Sequence, residues 1–202
     1  GRESDWVKFF EISTPLLQDS PLFPVVGNHD VHEGGQRAFA RYFALPGNEL
    51  YYAFTWGNLR FLSIDAEISV KRGTHTPDAA QRKWLLDEIR AAKADPKLDH
   101  IIAFVHRGPF SSHPRRDGNP GLRALLPELQ KAGLSLILSG HDHFYERGVS
   151  DTGLPYMVVG GGGAPLYETV GAGRHEGYRA LVSRSVHSFA RFRVRGRILS
   201  GC

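Results

Sequence analysis

Short apolar-rich runs recur at residues 22–26, 101–105 and 134–138, each followed by small or polar residues. Runs of this length read as buried strands rather than helices. Elsewhere the period lengthens. Residues 76–94 put Ala80, Trp84, Leu85, Ile89 and Ala92 on one helical face, with Pro77 at the first helical position and Asp78 in the first turn. A second helix over 122–132 ends at Gly133. Ser4 caps a helix over 5–13 that Pro15 interrupts. A helix over 36–43 leads to a hairpin, strands 51–56 and 59–65, turning at Gly57-Asn58. From Phe144 onward the pattern is short strands and Gly-rich turns. There Arg191, Arg193, Arg195 and Arg197 alternate with Phe192 and Val194, the period of a strand with one solvated face.

Helices alternating with strands between hairpin-like flanks predict an α/β domain with a mixed sheet. No repeat, low-complexity tract or linker interrupts the chain, so residues 1–202 read as a single domain.

Composition narrows the chemistry more than the fold. The 202 residues are 41% hydrophobic and 23% charged, ordinary for a globular domain. No apolar run approaches the roughly 18 residues of a membrane span. Cys202 is the single cysteine, which excludes an intrachain disulfide and a cysteine-based zinc site. A metal would therefore be held by His, Asn or carboxylate groups. The net charge of +4 is weighted to the C-terminal half, partly through the arginine strand. That strand reads first as a solvated face, and secondarily as a field for anions.

Each of the three strand-like runs delivers polar residues: Gly27-Asn28-His29-Asp30, then His106, then Gly140-His141-Asp142-His143. In open α/β sheets ligands gather at the carboxyl ends of strands, so these three ends can meet. A His-x-His pair after a glycine that permits a sharp bend points to metal. Asn28 supplies a neutral carbonyl oxygen, although an Asn-His-Asp turn is by itself an ordinary turn. Asp30 is placed to orient the His29 imidazole. No Gly-x-Ser-x-Gly elbow occurs, and Gly160–Gly163 lacks the Lys-Ser/Thr of a phosphate-binding loop. Asp65 reads as the end of a hairpin strand.

In this order, with Phe144-Tyr145-Glu146-Arg147 following, His106-Arg107-Gly108-Pro109-Phe110 between and Gly160–Gly163-Ala164-Pro165 after, the blocks resemble those of calcineurin-like metallophosphoesterases, specifically the bacterial type of the purple acid phosphatase-like branch. The resemblance covers roughly residues 5–195. It implies a four-layer α/β/β/α fold, a mixed β-sheet sandwich flanked by helices. It also implies dinuclear-metal-dependent hydrolysis of phosphate esters by in-line attack of a metal-bound hydroxide. Asn28, His106 and His141 would bind one metal and His143 the other. His29, backed by Asp30, would contact the phosphoryl group or protonate the leaving oxygen, and His113 would be an additional acid. Arg107, Arg115 and Arg116 could hold substrate anions. The two ions could be Fe, Zn or Mn. The implied substrate is a small phosphate ester, with no nucleic-acid partner.

One departure qualifies this. The family's Asp-x-His and Gly-Asp-x-x-Tyr blocks, which supply the bridging carboxylate, do not occur before Asn28. The expectation is a domain truncated at the N-terminus, lacking its first strand and first two metal-binding blocks, and inactive as a fragment. A phosphodiesterase acting on nucleotides or lipid headgroups, and a non-catalytic binding module, stay open as alternatives.

Overall fold

The computed structural model describes residues 3–31, 36–67 and 75–201; Cys202 lies outside them. Eight strands form one mixed sheet in the order β1-β2-β3-β4-β6-β5-β8-β7. They are β1 (Tyr52–Trp56), β2 (Leu59–Ile64), β3 (His100–Arg107), β4 (Leu136–Gly140), β5 (Tyr145–Ser150), β6 (Pro155–Val159), β7 (Gly173–His175) and β8 (Tyr178–Arg184). The centre is parallel, β2 with β3, β3 with β4 and β4 with β6. Both flanks are antiparallel.

Two crossover helices connect the parallel strands, α3 (Ala79–Ala94) and α4 (Pro120–Ala132). Their apolar stripes, with Leu85, Ile89, Leu122 and Leu126, share one buried cluster with Leu62, Ile64, Ala103, Val105 and Ile137. Burying each such leucine or isoleucine contributes roughly 1.5–3 kcal/mol, which explains the near-continuous apolar run of β3. Against the opposite face lies a two-stranded hairpin, β9 (Phe192–Arg195) with β10 (Ile198–Gly201). Phe192, Val194 and Leu199 cover Leu59, Ile102 and Leu136, while Arg193 and Arg195 point to solvent. Of the expected four-layer arrangement, the described residues supply a helical layer, the mixed sheet and this hairpin. A smaller core joins α1 (Glu3–Leu17) to α2 (Gln36–Tyr42) through Trp6, Phe39 and Val26.

Four local expectations change. Residues 22–26 join no ladder. Pro21 and Pro24 lack the N–H groups a ladder needs. The segment is held by its side chains instead: Phe23 stacks on Phe54 at 3.7 Å and Tyr52 Oη donates to Pro24 O at 2.6 Å. Pro15 does not stop α1, which continues to Leu17. The carbonyl that Pro15 deprives of a partner belongs to Glu11, which is exposed. In α3 the cap is Asp78, whose side chain accepts from Gln81 N, so Pro77 stands before the helix. Finally, β3 runs through Arg107, which puts His106 within the strand rather than in the loop after it.

Parallel strands with right-handed crossovers share their carboxyl edge. Ile64 of β2, Arg107 of β3 and Gly140 of β4 therefore end side by side. The Gly27 turn reaches the same edge, close enough that a Cβ on Gly27 would meet the His106 ring.

Candidate metal centre

At that edge three donor atoms from distant segments converge. His106 Nε2 is 2.6 Å from Asn28 Oδ1, His141 Nδ1 is 3.2 Å from the same oxygen, and the two ring nitrogens are 3.1 Å apart. Donors bound at about 2.1 Å stand about 3.0 Å apart at octahedral angles and about 3.4 Å apart at tetrahedral ones. The two longer edges suit a small cation, and the 2.6 Å edge would widen on binding. Burial is the largest influence on both histidines and lowers each pKa to about 3. For His106 the neighbouring His141 and Arg107 add to it; for His141, Arg107 and Arg116 do. Both rings are thus neutral at physiological pH, the form that ligates metal. Among the described residues no group of three or more His, Cys, Asp or Glu side chains is poised for a metal. Two of the trio are histidines, and its third member is an amide.

Local backbone explains the convergence. The expected sharp bend at Gly140 is taken by His141 itself, at φ 65°. A non-glycine residue in the left-handed region costs about 1–3 kcal/mol, a strain found where function over-determines geometry. Asp142 N donates to Gly140 O and Phe144 N to Asp142 O, closing two consecutive tight turns. Gly160 backs this turn so closely that a Cβ there would lie 1.9 Å from Asp142 O. At the other turn, Asp30 Oδ2 accepts from Gly27 N at 2.7 Å. Burial raises the Asp30 pKa, against the lowering effect of that backbone bond. His29 is exposed on the same turn.

His143 is not part of the triangle. Its Nδ1 is 2.8 Å from Pro165 O, and a carbonyl only accepts, so Nδ1 carries the proton and Nε2 keeps its lone pair. This is the usual support for a metal-binding histidine. His113 Nδ1 accepts from Arg115 N at 3.1 Å, leaving its proton on Nε2.

A cleft of about 770 Å³ opens beside the trio, lined by Asn28, His141, His75, Arg107, Arg116 and Asn119 among others. Arg107 Nη1 is 2.7 Å and Arg116 Nη1 3.3 Å from His141 Nε2. Guanidinium groups only donate, so these contacts use the Nε2 lone pair and put the ring proton of metal-free His141 on Nδ1. Holding a cation at Nδ1 would move that proton to Nε2 and open both arginine contacts. Arg107 is anchored from behind by Glu67, Nε to Oε1 at 2.8 Å, and Arg116 by Asp142 at 2.9 Å. Arg115 does not line the cleft.

The strand-end rule applies here once more than the sequence reading allowed. Because β2 pairs in parallel with β3, Asp65 follows a parallel strand rather than merely closing a hairpin. Gln81 clamps its backbone on both sides at 2.9 Å, and Asp65 Oδ1 accepts from Glu67 N. That bend aims Glu67 at Arg107. Tyr167 was also missed, and no motif marks it. His143 stacks on its ring at 4.1 Å, His113 meets it edge-on at 5.6 Å, and the Arg116 guanidinium lies 4.6 Å above it.

The sequence profile of calcineurin-like phosphoesterases matches residues 1–145. The chain belongs to the calcineurin-like phosphoesterase family. It is 29% identical over 163 residues to an uncharacterized protein of Mycobacterium tuberculosis, covering 70% of this chain and 30% of that one. It is 23% identical over 159 residues to the probable purple acid phosphatase 20 of Arabidopsis thaliana, covering 70% and 36%. The structure of purple acid phosphatase PPD1 from yellow lupin (Lupinus luteus) seeds superposes with a TM-score of 0.74 at 22% identity, over 94% of this chain and 38% of that one. The two share a fold. The chain spans about a third of the length of these curated relatives. Among its described residues, no helix is long and apolar enough to cross a membrane.

Proposed function

We propose that this phosphoesterase chain carries part of a two-cation centre that hydrolyses phosphate monoesters. The observation supporting this most is the triangle of Asn28 Oδ1, His106 Nε2 and His141 Nδ1 at 2.6–3.2 Å. Those three atoms would hold one cation and His143 Nε2 the other, with Fe, Zn and Mn all compatible with the donor set. When bound, such a pair polarises phosphoryl oxygens and lowers the pKa of a coordinated water.

The chain's own side chains provide the remainder. Asn28 and the two neutral histidines add no negative charge, so a bound cation keeps its full pull on a phosphate. Arg107 and Arg116, held in place by Glu67 and Asp142, donate to non-bridging phosphoryl oxygens from the cleft wall. His113 offers a proton on Nε2, and His29 is exposed on the turn that carries Asn28. Either can protonate the leaving oxygen, a contribution typically worth about 10²–10⁴-fold.

The test is hydrolysis of p-nitrophenyl phosphate and bis-p-nitrophenyl phosphate by the chain joined to an N-terminal segment that carries the Asp-x-His and Gly-Asp-x-x-Tyr blocks, loaded with Zn²⁺ or Mn²⁺. Monoester cleavage that chelator removes, at a rate at least about tenfold above the diester, is expected. Faster cleavage of the diester would favour a phosphodiesterase. No cleavage of either by the metal-loaded protein would oppose a catalytic role.

A further inference from the structure

Behind the cleft wall sits a buried polar cluster that the proposed chemistry does not use. Glu146 on β5 is fully buried. Its Oε1 accepts from Tyr156 Oη at 2.8 Å, and its Oε2 accepts from Ser112 Oγ. Ser112 Oγ also lies 2.6 Å from both Thr169 Oγ1 and Ser183 Oγ, which contact each other. Proton accounting sets the direction of this network. Ser112 has one proton and gives it to Glu146, so it can only accept from Thr169 and Ser183. One carboxylate acceptor therefore orders three hydroxyls beyond it.

These groups come from separate segments. Ser112 immediately precedes His113 and is in the same loop as Arg116. Thr169 is two residues past Tyr167. Glu146 is three residues past His143. Backbone bonds run alongside: Val170 N donates to Ser112 O at 2.9 Å and Tyr167 N to His143 O at 3.0 Å. Tyr167 in turn spaces His143, His113 and Arg116 around its ring. Tying the two loops together at Glu146 fixes where those three side chains stand.

We infer that Glu146 is a positioning residue, whose carboxylate locks the Ser112 loop to the Tyr167 loop and so holds His113 and Arg116 in register with His143 at the substrate wall. That His113 and Arg116 face a phosphate rests on the reading above; the lock itself does not. A buried carboxylate is costly to desolvate, and a neutral packed residue could fill its volume. Glu146 is made worthwhile by satisfying two hydroxyl donors at once, Ser112 in the loop after β3 and Tyr156 on β6, which no apolar side chain does.

Glu146→Gln is the discriminating substitution, because the amide keeps the shape but replaces one acceptor with a donor. Hydrogen–deuterium exchange on the full chain is measured with urea unfolding, and orthophosphate affinity is measured on the metal-loaded protein. The lock predicts exchange in residues 111–116 and 167–171 faster by at least about tenfold, the equivalent of losing one charge-assisted hydrogen bond. Exchange in α3 stays unchanged. Ser112→Ala, which removes the bridging hydroxyl, opens the same two segments and serves if Glu146→Gln does not fold. Unchanged loop exchange, or acceleration spread evenly over the chain, would overturn the inference. Orthophosphate binding weakens in step with loop opening if the wall is a phosphate site. Loop opening with no phosphate binding even in the wild type sustains the lock and removes the phosphoesterase reading instead.

Discussion

Gly27 gives His106 the space its imidazole occupies: a Cβ on Gly27 would stand 2.9 Å from His106 Nδ1 and 3.0 Å from two of its ring carbons. The glycine of the Gly-Asn-His-Asp block is thus explained by a contact with a residue 79 positions away in the sequence. Gly27→Ala is expected to push the ring off its place beside Asn28. The prediction is a fold retained by circular dichroism with Zn²⁺ affinity weakened at least about tenfold, as for displaced metal ligands. Unchanged affinity would show that His106 does not bind through this geometry.

Gly160 plays the same part for the other histidines. A side chain there would collide with the backbone of Asp142 at 1.9 Å, and backbone cannot swing aside. Gly160→Ala should therefore destabilise the protein by about 1–3 kcal/mol, the usual cost of overpacking. It should also perturb the histidine NMR signals of His141 and His143 more than that of His106. Equal perturbation of all three would contradict a local cause.

The Glu67–Arg107 pair predicts an asymmetric double-mutant cycle. The Glu67 side chain is 1% exposed and Arg107 is its bonded partner. Arg107→Met leaves that carboxylate only the more distant His75 ring at 3.6 Å and should cost about 2 kcal/mol or more in urea unfolding. Adding Glu67→Gln should recover part of the loss, because the charge left behind is then gone. Simple additivity of the two substitutions would mean that the pair is not coupled.

The metal-free protein should be sensitive to mild acid. His106 and His141 have pKa values lowered from 6.5 to about 3 in the fold, chiefly by burial. Between those values the unfolded chain binds more protons than the folded one, so stability falls as pH falls. The effect is absent above about pH 6.5 and complete near pH 3. Urea midpoints across this window should flatten when both histidines are replaced by Gln. A slope unchanged by the double substitution would assign the acid sensitivity elsewhere.

How much of this was readable in advance varies with the range of the interaction. Helices α3 and α4, the Gly57-Asn58 hairpin and the arginine strand follow from periodicity and caps, which are local. The ends of β3 and β4 could be expected to meet because parallel strands share an edge, whereas the Asn28 turn follows no strand and reaches them through tertiary contacts. What escaped depended on tertiary contacts. Residues 22–26 look like a strand by hydropathy, yet their prolines and the stacking of Phe23 on Phe54 decide otherwise. Glu67 reaches Arg107 only because Gln81 pins the bend at Asp65. Tyr167 matters through three ring neighbours drawn from other segments, a role that no spacing in the chain encodes.

Isothermal titration of the metal-free chain with Zn²⁺, beside His141→Ala, tests the centre most directly. Asn28, His106 and His141 as joint ligands predict saturable binding in the wild-type protein and affinity at least about tenfold weaker in the variant, with circular dichroism unchanged. Equal affinities in the two proteins would contradict the proposed centre.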